Sequence, residues 1–167
     1  MNNDLLIEKA RKKAFDNERN FGGCSQCVVG ALKDTLGVVS NDVFKAATGL
    51  GGGIGLTGRS CCGALTGGVM VIGTFLGREY DNFADPGRVR FETFKLAKRL
   101  VEKFEEEYGS VVCDDIKIKI MGRKYDLCDE KEFQEFLNDG GHDDKCPSVC
   151  GNGAKWTVEI LSQEKLI

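Results

Sequence analysis

Apolar residues recur every three or four positions along most of the chain, which is the spacing of an amphipathic helix. A first helix is predicted over residues 4–18, and a second begins near Cys24 and ends at Gly37. Residues 116–120 alternate as a strand would, but we interpret them as part of a short helix that starts near Cys113. The pattern predicts an all-α fold.

The middle of the chain joins a glycine-rich loop to the most apolar segment. Residues 49–58 hold so many glycines that regular structure there is disfavoured. An uncharged helix is predicted from about Cys62 to Gly77, and two glycines one turn apart, Gly63 and Gly67, would admit a neighbouring backbone. Further glycine, threonine and serine residues dilute this segment, so we predict a buried central helix rather than a membrane span.

The second half of the chain predicts further helices. Pro86 suits the first position of a long helix, on which Phe94 begins the apolar stripe. A small helix is predicted near residues 129–138, and the last helix starts at Cys146. We therefore expect residues 1–167 to form one domain, an all-α bundle of about six or seven helices with the glycine-rich loop before the central helix.

Charge and the first residues limit the partners and the compartment. The formal net charge of -3 argues against a nucleic-acid or anionic-membrane surface. The N-terminal segment has no apolar run typical of a signal peptide, so a cytoplasmic location is expected. An electron-transfer partner of unknown identity is expected, and the apolar content makes a homodimer conceivable.

Eight cysteines are unexpected in a reducing compartment and indicate metal binding or redox chemistry. Four of them fall at predicted helix starts, where unpaired N–H groups and the helix dipole favour a thiolate. These four are Cys24, Cys62, Cys113 and Cys146. Sulfur offered by four separate helix starts predicts one converging anionic site.

The other cysteines and the single histidine carry less information. Cys27 and Cys150 each lie one helical turn from a helix-start cysteine, and Cys61 adjoins one, so these three are secondary candidates. Cys128 lies in a polar stretch and is expected to be incidental. His142 is expected to be a surface residue rather than a ligand.

A family resemblance rests on the residues from Cys62 to Gly67, which read Cys-Gly-Ala-Leu-Thr-Gly, a CGAxxG sequence. With cysteine-bearing helices before and after it, the chain resembles the redox-active protein family named for the pattern C-GCAxxG-C-C, over roughly Phe21 to Leu161. Matched to that pattern, the family's four cysteines fall on the same four that helix placement selects. The resemblance implies redox activity without naming a substrate. Related modules beside haem in split-Soret cytochromes imply an iron–sulfur site, here without haem.

Three functions remain open at this point. The first is electron transfer through an iron–sulfur cluster, with [2Fe–2S] favoured, held by Cys24, Cys62, Cys113 and Cys146. The second is a reversible disulfide without metal, for which Cys24 with Cys62 is the first choice. The third is a structural zinc site that ties the helices together. Whether the chain is an oxidoreductase or an electron carrier stays open.

Two cofactor classes are not expected. Neither cysteine pair continues into the Cys-x-x-Cys-His haem signature. The glycine-rich loop matches nucleotide-binding patterns only in part, because it has Arg59 in place of the phosphate-loop lysine and follows a predicted helix rather than a strand. Haem and nucleotide binding are therefore not expected.

Overall fold

The computed structural model describes residues 3–167, and these fold into helices and turns with no strand. The predicted all-α fold is confirmed, with eight α-helices instead of six or seven. The helices are α1 (Asn3–Phe21), α2 (Cys24–Leu36), α3 (Asn41–Ala46), α4 (Gly63–Leu76), α5 (Val89–Tyr108), α6 (Cys113–Met121), α7 (Glu130–Asn138) and α8 (Cys146–Gln163). Single 3₁₀ turns cover Ala47–Leu50 and Tyr80–Asn82, and a π-helical turn covers Gly141–Lys145.

Helix α4 is the centre of the bundle and packs against α2, α5 and α8. The predicted close approach at its glycines is confirmed. A Cβ atom at Gly63 would lie 2.3 Å from Cys24 Sγ, and one at Gly67 would lie 2.6 Å from the carbonyl oxygen of Ser25. The first turns of α2 and α4 are therefore in backbone contact. None of the helices in residues 3–167 combines the length and the apolarity that crossing a membrane requires.

The long helix α5 differs from the sequence prediction at its start and along its buried face. It begins at Val89 rather than at Pro86, because the buried carboxylate of Asp85 accepts hydrogen bonds from the Val89 and Arg90 N–H groups at 2.7 and 3.2 Å. The predicted stripe is also rotated, since Phe94 is 59% exposed. The buried face consists of Leu96, Leu100, Phe104 and Tyr108.

The segment with strand-like alternation is helical, as interpreted, and lies within α6. Before it, Cys61 and Val112 form an isolated antiparallel bridge, and the Cys62 N–H donates to the carbonyl oxygen of Val111 at 2.8 Å. This bridge joins the chain just before α4 to the chain just before α6. The starts of these two helices are thereby held side by side.

Candidate thiol site

A cavity of about 290 Å³ lies where the N-terminal ends of four helices meet. Cys24, Cys113 and Cys146 are the first residues of α2, α6 and α8, and Cys62 directly precedes α4. All four line the cavity, as does Cys150, one turn into α8. The structure thus places the four helix-start cysteines around one space, although they lie far apart in the chain.

Three cysteines do not line this cavity. Cys27 is buried, and its thiol donates to the carbonyl oxygen of Gly22 at 3.0 Å. Cys61 is half-buried at the bridge before α4, and Cys128 is exposed in the turn before α7. Of the three secondary candidates, only Cys150 therefore joins the helix-start cysteines.

Cys24 is the one cavity cysteine whose surroundings favour the thiolate. The neighbouring Cys62 thiol is the largest influence that lowers the pKa of Cys24, and the backbone N–H of Gly52 donates a hydrogen bond to the Cys24 sulfur at 3.5 Å. These donors, together with N–H groups of α2 and α4, outweigh burial and lower the pKa of Cys24 to about 6. Cys24 is half-buried, whereas Cys62 is buried.

The other cavity thiols remain protonated at neutral pH. The pKa of Cys62 is raised because its proton is held by the Cys24 thiolate and because the group is buried. Burial raises the pKa of Cys113 to about 12 and also raises the pKa values of Cys146 and Cys150. The thiolate that helix placement predicts at all four positions therefore forms at Cys24 alone, since desolvation outweighs the helix dipole at the others.

The glycine-rich loop explains part of this difference between helix starts. It packs on the first turn of α6, where Ser60 and Gly58 accept hydrogen bonds from the N–H groups of Cys113 and Asp114, both at 2.9 Å. The first N–H groups of α6 are thus hydrogen-bonded to backbone carbonyls, so they stabilise a thiolate at Cys113 less. The same loop turns the N–H of Gly52 towards the Cys24 sulfur.

Glu18 is a wall residue of the cavity that the sequence analysis missed. It occupies the buried face of α1 and is only 3% exposed. Burial, with the nearby Cys24 thiolate, raises its pKa to about 8, so the carboxyl group is protonated at neutral pH. The Cys27 and Cys150 thiols lie beside it and oppose this rise, but their own hydrogen bonds go to backbone carbonyls, and Glu18 Oε2 has no partner.

The turn between α1 and α2 brings Glu18 and Cys24 to the same cavity. Gly22 and Gly23 adopt φ values of +66° and +84°, which residues with a side chain rarely adopt. The chain therefore reverses direction within two residues. The last turn of α1 and the first residue of α2 then face the same space.

His142 is a cavity residue and not the surface residue that the sequence predicts. The π-helical turn before α8 places its ring in the cavity wall, with Nε2 3.6 Å from Glu18 Oε1. Burial lowers the pKa of His142, while that of Glu18 is raised. Both groups are therefore neutral at pH 7, and their contact is not an ion pair.

Lys117 is a second buried group that the sequence analysis missed, one turn after Cys113 in α6. Its ammonium group lies 2.9 Å from Asp114 Oδ1 and donates to the carbonyl oxygen of Tyr125 at 3.0 Å. Lys117 lines the cavity, and its positive charge is balanced by the Asp114 carboxylate. The Cys24 thiolate remains as the one net charge that the described residues bring to this space at neutral pH.

The donor set of the cavity is that of a metal or cluster site, but its present geometry is not. Five cysteine sulfurs surround one space, and thiolates are the ligands that iron–sulfur clusters and zinc take up. Within residues 3–167, no three or more Cys, His, Asp or Glu side chains lie close enough together to hold one metal ion. In this arrangement the residues do not fit a cluster, and the cysteines would have to approach one another to bind one.

Comparison with known proteins adds one finding. Residues 23–160 match the family described as "Putative redox-active protein (C_GCAxxG_C_C)". No curated protein and no solved structure matches the chain. The matched segment starts one residue before Cys24 and reaches into α8, so it spans all the cavity cysteines and most of the sequence. The chain therefore belongs to the C_GCAxxG_C_C family.

Proposed function

We propose that this protein is a thiol–disulfide redox protein in which Cys24 and Cys62 form a reversible disulfide. The observation that carries the proposal is that Cys24 and Cys62 line one cavity at the contacting starts of α2 and α4, where a Cβ atom at Gly63 would lie 2.3 Å from Cys24 Sγ. A thiolate beside a protonated thiol is the arrangement from which a dithiol can be oxidised without a large movement of the backbone.

The two cysteines have different tasks in the proposed reaction. The Cys24 thiolate attacks one sulfur of a substrate disulfide RS–SR, the S–S bond breaks, and RS⁻ leaves. Cys24 is then joined to RS in a mixed disulfide. Its sulfur no longer carries the charge that holds the Cys62 proton, so the pKa of Cys62 falls.

The second step closes the internal disulfide. Cys62 gives up its proton, its thiolate attacks the Cys24 sulfur, and the second RS⁻ leaves and takes up that proton. Two electrons pass from the cysteine pair to the substrate, which becomes one thiolate and one thiol, and the thiolate takes its proton from water. A dithiol reductant returns the pair to its reduced form by the reverse exchange.

The test is equilibration of the reduced full-length protein in redox buffers of 2-mercaptoethanol and its uncharged disulfide, followed by thiol counting and peptide mass spectrometry. We expect the protein to lose two thiols reversibly and to yield a peptide linked through Cys24 and Cys62. Cys24→Ser and Cys62→Ser should abolish this change. Cys128→Ser, which removes the exposed cysteine outside the cavity, should leave it intact. A wild-type protein that keeps all its thiols in oxidising buffer would exclude the proposed function.

A second candidate is an electron carrier with an iron–sulfur cluster held by Cys24, Cys62, Cys113 and Cys146. The observation in its favour is that these four cysteines line one cavity and belong to the four helix starts that enclose it. Anaerobic purification tests it directly. A coloured protein with iron and acid-labile sulfide in stoichiometric amounts supports the cluster. A colourless protein that oxidises to a Cys24–Cys62 disulfide supports the dithiol.

A further inference from the structure

We infer that the cavity beside Cys24 is a substrate pocket for an uncharged, mainly apolar small molecule that carries a disulfide and a hydrogen-bond acceptor. This inference rests on the proposed dithiol function and names the class of substrate that the site would take. It follows from the size of the cavity, its walls and one polar atom without a partner.

The size of the cavity selects a small molecule. Its volume of about 290 Å³ is at the lower end of the range of about 300–1,000 Å³ found for small-molecule pockets. Cys24 lines this space together with the glycine-rich loop and side chains of α6 and α7. A disulfide in a folded protein, held flat between two bulky chains, would not enter such a space.

The walls of the cavity select an uncharged molecule. Most of the wall is apolar, with Ile116 and Ile120 from α6, Phe133 and Phe136 from α7, and Val149 from α8. The Cys24 thiolate would repel an anionic disulfide such as a carboxylate-bearing one, and no unpaired cation of the described wall is available to offset the loss of its hydration. A neutral aromatic or aliphatic disulfide is not repelled by the thiolate and has no charge whose hydration would be lost.

Glu18 supplies the polar contact. Glu18 lines the cavity, and its Oε2 atom is buried without a hydrogen-bond partner, a state that is costly unless a ligand satisfies it. The carboxyl group is neutral in these surroundings and can donate its proton in a hydrogen bond to an acceptor atom. An acceptor on the substrate would then fix its orientation while the disulfide faces the Cys24 sulfur.

The first arm of the test compares two reagents in single-turnover reactions with the reduced protein. Dithiodipyridine is an uncharged aromatic disulfide with a ring nitrogen as acceptor, and dithiobis(nitrobenzoate) is a dianion of similar reactivity. The kinetic phase that is absent in Cys24→Ser is assigned to the reaction of Cys24. Each rate constant is divided by that of free cysteine with the same reagent. We expect the normalised rate constant for dithiodipyridine to exceed that for dithiobis(nitrobenzoate) by about tenfold or more. Equal normalised rates would overturn the inference.

The second arm blocks the cavity from its rim. Ile120 is half-buried and lines the cavity, whereas Ile118 on the same helix is 48% exposed and does not. We expect Ile120→Trp to slow the reaction of dithiodipyridine with Cys24 about tenfold, while Ile118→Trp leaves it unchanged. Thermal unfolding of both variants shows whether they are folded. Equal rates for two folded variants would contradict a substrate pocket.

The third arm tests Glu18 with a matched pair of reagents and needs no cavity-filling variant. Diphenyl disulfide has the shape of dithiodipyridine but no ring nitrogen. Glu18→Leu should slow the reaction of Cys24 with dithiodipyridine about fivefold, because a hydrogen bond to the ring nitrogen is lost. The reaction with diphenyl disulfide should hardly change. Glu18→Gln keeps a donor and should retain most of the wild-type rate with dithiodipyridine. An equal effect on both reagents would show that Glu18 has only a structural role and would overturn the assigned contact.

Failure of the inference can be told apart from failure of the proposed function. The disulfide between Cys24 and Cys62 is scored at equilibrium in a buffer of 2-mercaptoethanol and its small uncharged disulfide, where access through the cavity affects only the speed. If that disulfide forms but the three arms show no preference, the pocket is refuted and the dithiol stands. If it never forms, both are refuted.

Discussion

The contact between Cys62 and Cys24 makes a quantitative prediction for Cys62→Ala. In the wild type the pKa of Cys24 is about 6, and the Cys62 thiol is the largest cause of its lowering. A hydrogen bond to a charged group contributes about 1.5–3 kcal/mol, which corresponds to a change of about one to two in pKa. We therefore expect the pKa of Cys24 to rise to about 7–8 in Cys62→Ala.

The assay is the pH dependence of alkylation at Cys24 by iodoacetamide, an uncharged reagent, with the modified peptide quantified by mass spectrometry. Because the thiolate is the reactive form, the rate follows its fraction. The wild type should show a midpoint near pH 6, and at pH 6.5 Cys62→Ala should react about tenfold more slowly. Cys62→Ser keeps a hydrogen-bond donor, so its alkylation rate at pH 6.5 should lie between those of the wild type and Cys62→Ala.

Cys61→Ala is the matched control, since Cys61 adjoins Cys62 but does not line the cavity. It should leave the midpoint unchanged. Two results would refute the reasoning. One is a wild-type midpoint near the ordinary cysteine pKa of about 8.5. The other is the same change of midpoint in Cys61→Ala and Cys62→Ala.

Three further predictions concern stability and are measured by urea unfolding. Gly63→Ala should destabilise the protein by about 1–3 kcal/mol because its Cβ would overlap a neighbouring sulfur, whereas Gly73→Ala in the same helix faces open space and should be neutral or stabilising. The pKa of Glu18 is about 8 in the folded protein, above its value of about 4.3 in the unfolded chain. The wild type should therefore lose stability relative to Glu18→Gln as pH rises from about 4.3 to about 8, by at most about 1.4 kcal/mol per pH unit. A difference in unfolding free energy that does not change with pH would contradict this. Lys117→Met leaves its carboxylate partner half-buried and unpaired and should cost about 3 kcal/mol, whereas Lys119→Met at an exposed position of the same helix should cost little.

The helices could be predicted from the sequence because their spacing signal is local. The start of α5 was misplaced although its capping signal is also local, since the Asp85 carboxylate accepts hydrogen bonds from the N–H groups of Val89 and Arg90, four and five residues later. The exposure of Phe94 instead depends on which side of α5 meets α4 and α8. That error comes from contacts between elements, which periodicity does not contain.

The candidate site was predictable in its members but not in its electrostatics. Placement at helix starts selected four of the five cysteines that line the cavity, because helix ends are themselves encoded locally. Their pKa values depend on burial, which only the packed structure sets. Glu18 had a signal that could have found it: it continues the spacing of Ala10 and Ala14 by one more turn, on the buried face of α1. Lys117 is likewise one turn after Cys113.

The scattered origin of the cavity wall has a consequence for how this protein must mature. Each cavity-lining helix start comes from a different part of the chain, so Cys24 and Cys62 meet only after α2, α4 and the bridge at Cys61 have assembled. In the unfolded chain all eight thiols are equivalent, and an oxidant would join them in many wrong pairs. Refolding under reducing conditions should therefore recover the native protein, whereas refolding in oxidised glutathione should yield scrambled, misfolded species.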